Sequence, residues 1–393
     1  MAATELVRAP GVQVHVFERR PGLGRKLLVA GSSGLNISNG LPVPEFAAHY
    51  RGWNRDFWTK LLEEFGPREW IRFIEKDLGL ETFLGTSDRY FVREMKASGL
   101  LKRWTNRLSE AGAVFHTARE FTDFRNADQG GYFVQFAQTT SEGEELHFDH
   151  VVFALGGGSW EDTLPAWPEI LRKRGISVAA FSPSNVGYEV RWSEGFLREA
   201  EGKPLKKIRF ENARGRKDGE LMVTKYGLEG TPIYFHGEPG PAYLDLKPDL
   251  TLEQVLDRLD RVKENLSPIR RAKQKLELGE ASLALLFHET PPEARADLRR
   301  LAERVKRFPI LLGGARPLAE AISSRGGVEL SELSPRFELR RYPGIYCGGE
   351  MLDWDAPTGG FLIQATVAMG FRIGRALAVT IHPEEYSPSR RPS

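Results

Sequence analysis

A single cysteine, Cys347, stands in a chain of 393 residues. That excludes an internal disulfide and any cysteine-cluster metal site, and it fits a reducing compartment. No apolar run approaches the length of a membrane span, and the N-terminus lacks a signal-peptide hydrophobic region, so the sequence reads as cytoplasmic with no membrane partner. Charge of one sign is not in excess either. Lys+Arg total 55 against Asp+Glu 53, a formal net charge of +2, which neither demands nor excludes nucleic acid. Internal repeats and low-complexity tracts are absent, and so is any G-x-G-x-x-G turn. What is present is ordinary for a folded enzyme: 41% apolar and 10% aromatic residues, enough for a sizeable core. The length suits two or three domains at roughly 100–200 residues each.

The chain is organised around residues 344–374. A short apolar strand (Ile345, Tyr346, Cys347) runs into Gly348, Gly349 and Glu350. After a loop, Thr358, Gly359, Gly360 and Phe361 open a helix whose small residues allow close packing. Unpaired N–H groups and a positive dipole end make such a helix start suitable for a phosphate-bearing cofactor, and glycine lets backbone approach the ligand. An ordinary strand–loop–helix connection has the same local look, so partner segments decide.

Several exist. Residues 12–18 form a strand ending on Glu18, placed as the acidic residue that holds a ribose hydroxyl in dinucleotide-binding units. The preceding strand and glycine turn of such a unit do not occur ahead of it, which suggests a start assigned to an internal methionine. Residues 21–40 alternate glycines with polar and basic residues: Arg25, Lys26, Gly31, Ser33, Gly34 and Asn36 offer backbone donors and a cation to a pyrophosphate. Residues 151–155 are a fully apolar strand of parallel-sheet type, followed by Gly156 and Gly157, a second candidate cradle.

Elsewhere the aromatics of 46–66 and 67–78 recur at helical spacing and belong to a core. Arg89 and Arg93 sit between aromatics; a solvated strand edge is the plainer reading of the segment, and an anion contact at Arg93 the alternative. Residues 120–152 read as a meander. From about 181 the texture changes to alternating antiparallel strands, and 250–308 is helical with many i,i+4 charge pairs. The basic run 203–217 is a charged hairpin that needs no nucleic-acid partner, although RNA is the alternative. Residues 325–328 form a flexible, cationic glycine turn. Cys347, inside an apolar strand, is inert core.

Together the segments GRKLLVAGSSGLNISN, VVFALGGGSWEDT, GELMVTKYGLEGTPI, LDLKPDL and GIYCGGEMLDWDAPTGGFLIQATVAMG resemble, in order, those of the HI0933-like (YhiN/BaiN-like) flavoproteins. The resemblance covers nearly the whole chain. It implies an α/β protein: a split Rossmann-like FAD-binding domain, parallel sheet plus β-meander, over 1–180 and 319–393. An inserted antiparallel β domain (181–249) and a helical subdomain (250–318) complete it. It also implies bound FAD, with Glu350 near the ribitol or pyrophosphate and 358–361 facing the flavin pyrimidine edge. The expected activity is flavin-mediated hydride or electron transfer on a small-molecule substrate, with NAD(P)H as a transient reductant and no assigned catalytic residue or metal. Two alternatives stay open: a non-catalytic homologue without FAD, and a flavoprotein associated with tRNA or another nucleic acid.

Overall fold

The computed structural model describes residues 1–31, 34–85, 88–138, 143–160, 163–261 and 266–383. They divide into two compact units, Met1–Ser182 with Ser323–Ser393, and Pro183–Ile322.

In the first unit the parallel strands occur as two pairs. His15–Glu18 runs beside Val114–Thr117, with Glu18 opposite Thr117. Val151–Phe153 runs beside Ile345–Cys347, with Phe153 opposite Cys347. The second pair is short, and Ile345, Tyr346 and Cys347 are all buried, as a strand covered on both faces must be. The meander Arg119–Asn126, Tyr132–Gln138 and Glu144–Phe148 is antiparallel throughout. It docks on the first pair through Phe17, which stacks on Phe136 at 4.3 Å between ring centroids and on His116 at 4.4 Å.

A three-stranded antiparallel sheet, Asn36–Asn39, Arg89–Val92 and Thr82–Leu84, carries the polar loop toward the C-terminal helix. The expected aromatic helices form as Val43–Ala47, Arg55–Glu64 and Pro67–Arg72, the last running into a π-helical turn over Phe73–Asp77. Trp58, Trp70 and Phe46 are fully buried, each contributing about 1.5–3 kcal/mol through removal of apolar surface from water. Residues 325–328 are not a flexible turn. Ser323–Val328 is a strand beside Val178–Ser184. Gly326 and Gly327 take positive φ within it, because a Cβ would lie 2.3 Å from the Ala180 carbonyl oxygen or 2.2 Å from that of Met351.

The C-terminal helix Phe361–Ile381 is the longest element. Contrary to the sequence expectation, its length and apolarity reach what a membrane crossing needs, yet 56% of its most apolar window is buried in the fold. Its composition answers to packing. Beside Gly370 and Gly374 a Cβ would lie 3.0 Å from Met1 Cβ and 2.7 Å from Glu5 Cβ, so the helix Ala2–Leu6 can lie directly against it.

The second unit is built on a six-stranded antiparallel sheet. Its order is Tyr188–Glu189, Gly227–Glu229, Gly215–Thr224, Pro204–Asn212, Gly240–Asp245 and Phe308–Leu312. The last strand, Phe308–Leu312, lies within 250–318, the stretch expected to be a helical subdomain. Its alternating burial, with Phe308, Ile310 and Leu312 inward, is that of a one-sided strand. Helices between 252 and 306 pack on the sheet, and Val255, Leu285, Leu301 and Val305 join Phe210, Leu221 and Leu244 in one core. Thr251 and Gln254 close a capping box at the start of Leu252–Asp260, with bonds of 3.2 and 2.8 Å. In the basic hairpin Lys203 pairs with Glu280, Arg209 takes Asp218 with both arms of its fork, and Lys217 lies over the Phe235 ring.

Candidate cofactor site

Both strands of the pair Val151–Phe153 and Ile345–Cys347 end in glycines on the same side of the sheet. The Gly348 N–H donates to the Phe153 carbonyl at 3.0 Å, locking the two exits together. In open α/β sheets the crevice beyond such carboxyl ends is where ligands bind.

Glu350, in a short 3-10 turn after the second strand, ties this crevice together. One carboxylate oxygen accepts from the Ser324 N–H (3.0 Å) and the Ser159 hydroxyl (3.3 Å). The other faces Lys26 Nζ at 3.3 Å. Lys26 also donates to the Gly157 carbonyl at 3.0 Å, and the Ser324 hydroxyl accepts from the Gly158 N–H at 2.9 Å. A Cβ on Gly157 would stand 2.2 Å from Ser324 Oγ and 3.0 Å from Glu350 Cδ, so only glycine fits there. Gly156 (φ +76°) and Gly349 (φ +80°) differ. A Cβ would reach nothing closer than Lys26 Nζ at 3.6 Å or Thr366 Cγ2 at 3.8 Å, which leaves open backbone for a ligand to approach. Arg25, at the start of the helix Arg25–Ala30, donates to the Trp160 carbonyl at 2.9 Å.

A second group of residues gathers at the start of the C-terminal helix. Gly360 is its left-handed N-cap, and a Cβ there would be 2.4 Å from the Ser38 carbonyl carbon and oxygen. Asn39 Nδ2 donates to the Gly359 carbonyl (3.1 Å), and the buried Tyr50 hydroxyl to that of Phe361 (2.8 Å). Burial pushes the Tyr50 hydroxyl well above its ordinary pKa. Ser38 donates to Gln364 Oε1 at 2.7 Å, and Gln364 Nε2 to the Phe65 carbonyl at 3.1 Å. Among the described residues no side-chain hydrogen bond caps the helix. Arg89 Nε is 3.7 Å from where a Gly359 Cβ would sit, and burial lowers its pKa. A cation and a positive helix end thus converge on one place, which favours an electron-rich partner.

Asn36 lies beside this group with its Oδ1 buried and unpartnered, a polar atom that an added donor would satisfy. Glu18 ends its strand as expected and accepts from the Arg20 N–H at 2.9 Å. Gly31 caps the helix Arg25–Ala30 against Ala97, and Gly34 takes φ +132° next to Met95. Ser33 lies outside the described residues. Arg93 is exposed and pairs with Glu81 at 2.6 Å. Cys347 is fully buried and its thiol is pushed up by that burial.

The groups that sequence reasoning passed over are Ser324 and Gln364. Each is a common polar residue with no local pattern. Their roles come from partners 166 residues away for Ser324 with Gly158 and 326 away for Ser38 with Gln364.

The architecture is that of a Rossmann-like α/β protein with a meander and an inserted second unit. The chain belongs to the HI0933-like family, whose Rossmann-domain model matches residues 1–376. It is 24% identical to the 3-dehydro-bile acid delta(4,6)-reductase of Clostridium scindens over 407 aligned positions, covering 96% of each chain. It is 23% identical to the ribosomal RNA dihydrouridine synthase of Escherichia coli, covering 93% of this chain and 92% of that one. Among solved structures, the 3-ketosteroid delta1-dehydrogenase of Sterolibacterium denitrificans shares the fold at a TM-score of 0.50 and 11% identity, over 96% of this chain and 97% of that one. The FrdA subunit of E. coli quinol fumarate reductase shares it at 0.50 and 11%, over 100% and 69%.

Proposed function

We propose that the chain is an FAD-dependent oxidoreductase that works in the reducing direction on a small molecule. The observation that carries the reading is the Glu350 carboxylate. It joins glycine-flanked turns at the ends of two adjacent parallel strands to a lysine from the polar loop, beside open backbone at Gly156 and Gly349. The unpartnered Asn36 Oδ1 and the glycine-opened start of the C-terminal helix fit the same group. Bound FAD supplies hydride or electron transfer. The chain's own part is to bind and to tune. Lys26 and Arg25 bring positive charge to the pyrophosphate, and Glu18 offers a carboxylate to a ribose hydroxyl. The helix start at Thr358, Gly359, Gly360 and Phe361, with Arg89, stabilises negative charge on the ring edge that faces it.

The reducing direction draws on the two curated relatives, whose names describe a reductase and the formation of a dihydro product. NAD(P)H visiting the site transiently is the electron donor in this proposal. The RNA-modifying relative favours a nucleic-acid substrate as a second reading. Against it, Lys203, Arg209 and Lys217 of the basic hairpin are already engaged by Glu280, Asp218 and Phe235. The test is the visible spectrum of the purified full chain before and after adding FAD, followed by anaerobic reduction with NADPH. A folded protein that stays colourless and leaves FAD in the dialysate would falsify the proposal.

A further inference from the structure

Between the Glu350 crevice and the start of the C-terminal helix lies a cluster that none of the assignments above uses. Asp355 is buried, with its side chain 7% exposed, and its Oδ2 is 3.2 Å from Arg51 Nη1 and 3.6 Å from Arg325 Nη2. Both guanidinium side chains are 43% exposed. The arrangement is anchored from three directions. Arg51 and Asp355 form a backbone bridge, with the Arg51 N–H donating to the Asp355 carbonyl at 2.8 Å. Arg325 follows Ser324, whose N–H holds Glu350, and precedes Gly326, whose N–H donates to Asp353 Oδ1 at 3.1 Å. Arg51 follows Tyr50, whose hydroxyl holds the Phe361 carbonyl.

We propose that Arg51 and Arg325, oriented by Asp355, clamp a carboxylate of the substrate, an inference that rests on the function proposed above. Two guanidiniums converge on the Asp355 carboxylate. Arg325 Nε is itself buried without an acceptor. A buried donor left unmade is costly, and a charge-assisted bond to an oxyanion removes that cost. A planar carboxylate matches the fork of a guanidinium. Asp355 acts as a positioning residue. It fixes both forks and, being buried, does not itself meet the ligand.

The test is calorimetric titration of the full chain, with and without added FAD. The probes are benzoate, neutral benzamide and dimethyl phosphate, all at one ionic strength. Benzoate is expected to bind saturably, one to one, and benzamide not to bind. Arg325→Gln and Arg51→Gln are each expected to weaken benzoate by about tenfold or more, and Arg325→Lys by less, since charge survives and the fork does not. Circular dichroism confirms that each variant is folded, and Arg51→Gln decides the matter should Arg325→Gln not fold. Absence of saturable benzoate binding to folded wild type, indifference to Arg325→Gln, or preference for dimethyl phosphate each overturns the clamp. Because FAD uptake is read separately in the visible spectrum, a protein that takes up FAD without benzoate overturns only the clamp. One that binds benzoate through these arginines but refuses FAD overturns only the proposed function.

Discussion

Lys26 and Glu350 lie 324 positions apart and meet with Nζ 3.3 Å from Oε2, their side chains 29% and 20% exposed. The pair joins the polar loop after His15–Glu18 to the turn that follows Ile345–Cys347. Glu350→Gln keeps the shape but removes the charge that Lys26, Ser159 and the Ser324 N–H all address. Hydrogen bonds to charged groups are worth about 1.5–3 kcal/mol, so urea unfolding should show a loss of that order. A double-mutant cycle with Lys26→Met should return a coupling of about 0.5–3 kcal/mol. Additivity of the two substitutions would show that the contact carries no energy.

Gly157→Ala places a Cβ 2.2 Å from Ser324 Oγ. Overpacking of this kind costs about 1–3 kcal/mol, and here it also disturbs the Glu350 turn, so FAD uptake should fall with stability. Adding Ser324→Gly removes the obstructing hydroxyl and should restore part of both. Thermal melts and dialysis against FAD check the pair. A fully stable Gly157→Ala single variant contradicts the geometry.

At the start of the C-terminal helix the obstruction is backbone, which no second substitution relieves. Gly360→Ala would put its Cβ 2.4 Å from the Ser38 carbonyl at φ +92°. Left-handed strain alone is of the order of 1–3 kcal/mol, and the displaced helix start adds to it. The expected result is lower soluble yield and a lower melting temperature than Gly349→Ala, which shares the positive φ (+80°) but whose Cβ meets nothing closer than Thr366 Cγ2 at 3.8 Å.

His15 Nδ1 and His116 Nε2 face each other at 3.0 Å across the parallel pair His15–Glu18 and Val114–Thr117. Burial first, then the neighbouring His15 and Arg119, hold His116 below its ordinary pKa of 6.5, with Glu144 opposing. The folded state therefore binds fewer protons than the unfolded one. Stability is undiminished above pH 6.5 and is lost as pH falls through the lower folded value. His116→Gln should flatten that slope in urea midpoints measured from pH 7.5 to 5. An unchanged slope would place the titration elsewhere.

Cys347 is fully buried with its thiol pushed up, and the thiolate is the reactive form. A thiol reagent should label it only as fast as the first unit opens, and instantly in denaturant. Rapid labelling of native protein would refute the assigned burial.

Much of this was legible in residue order. The strand-to-glycine exits at 153–158 and 347–350, the helix opened at 358–361 and the hairpin at 204–224 all carry short-range patterns, and the structure forms each of them. The family resemblance rested on those same segments. Two elements were not legible. The glycines at 326 and 327 suggested a turn, but they are there because neighbouring carbonyls press on the strand Ser323–Val328. Phe308–Leu312 follows a helix without a break, and only the vacant sheet edge beside Gly240–Asp245 makes it a strand. The Asp355 cluster was invisible for a different reason. Its members come from 51, 325 and 355, and nothing local marks an aspartate that sits between two arginines.

The C-terminal helix has a consequence for how the polypeptide is made. Its middle packs on Met1 and Glu5, so the helix Ala2–Leu6 waits for the synthesis of Phe361–Ile381 before their unit can close. Everything that Pro183–Ile322 needs for its own core lies within its own span. The insertion is thus free to fold mid-synthesis while the surrounding unit is still incomplete, and protease pulses on chains stalled after residue 322 should find the inserted body resistant and the leading segment cut.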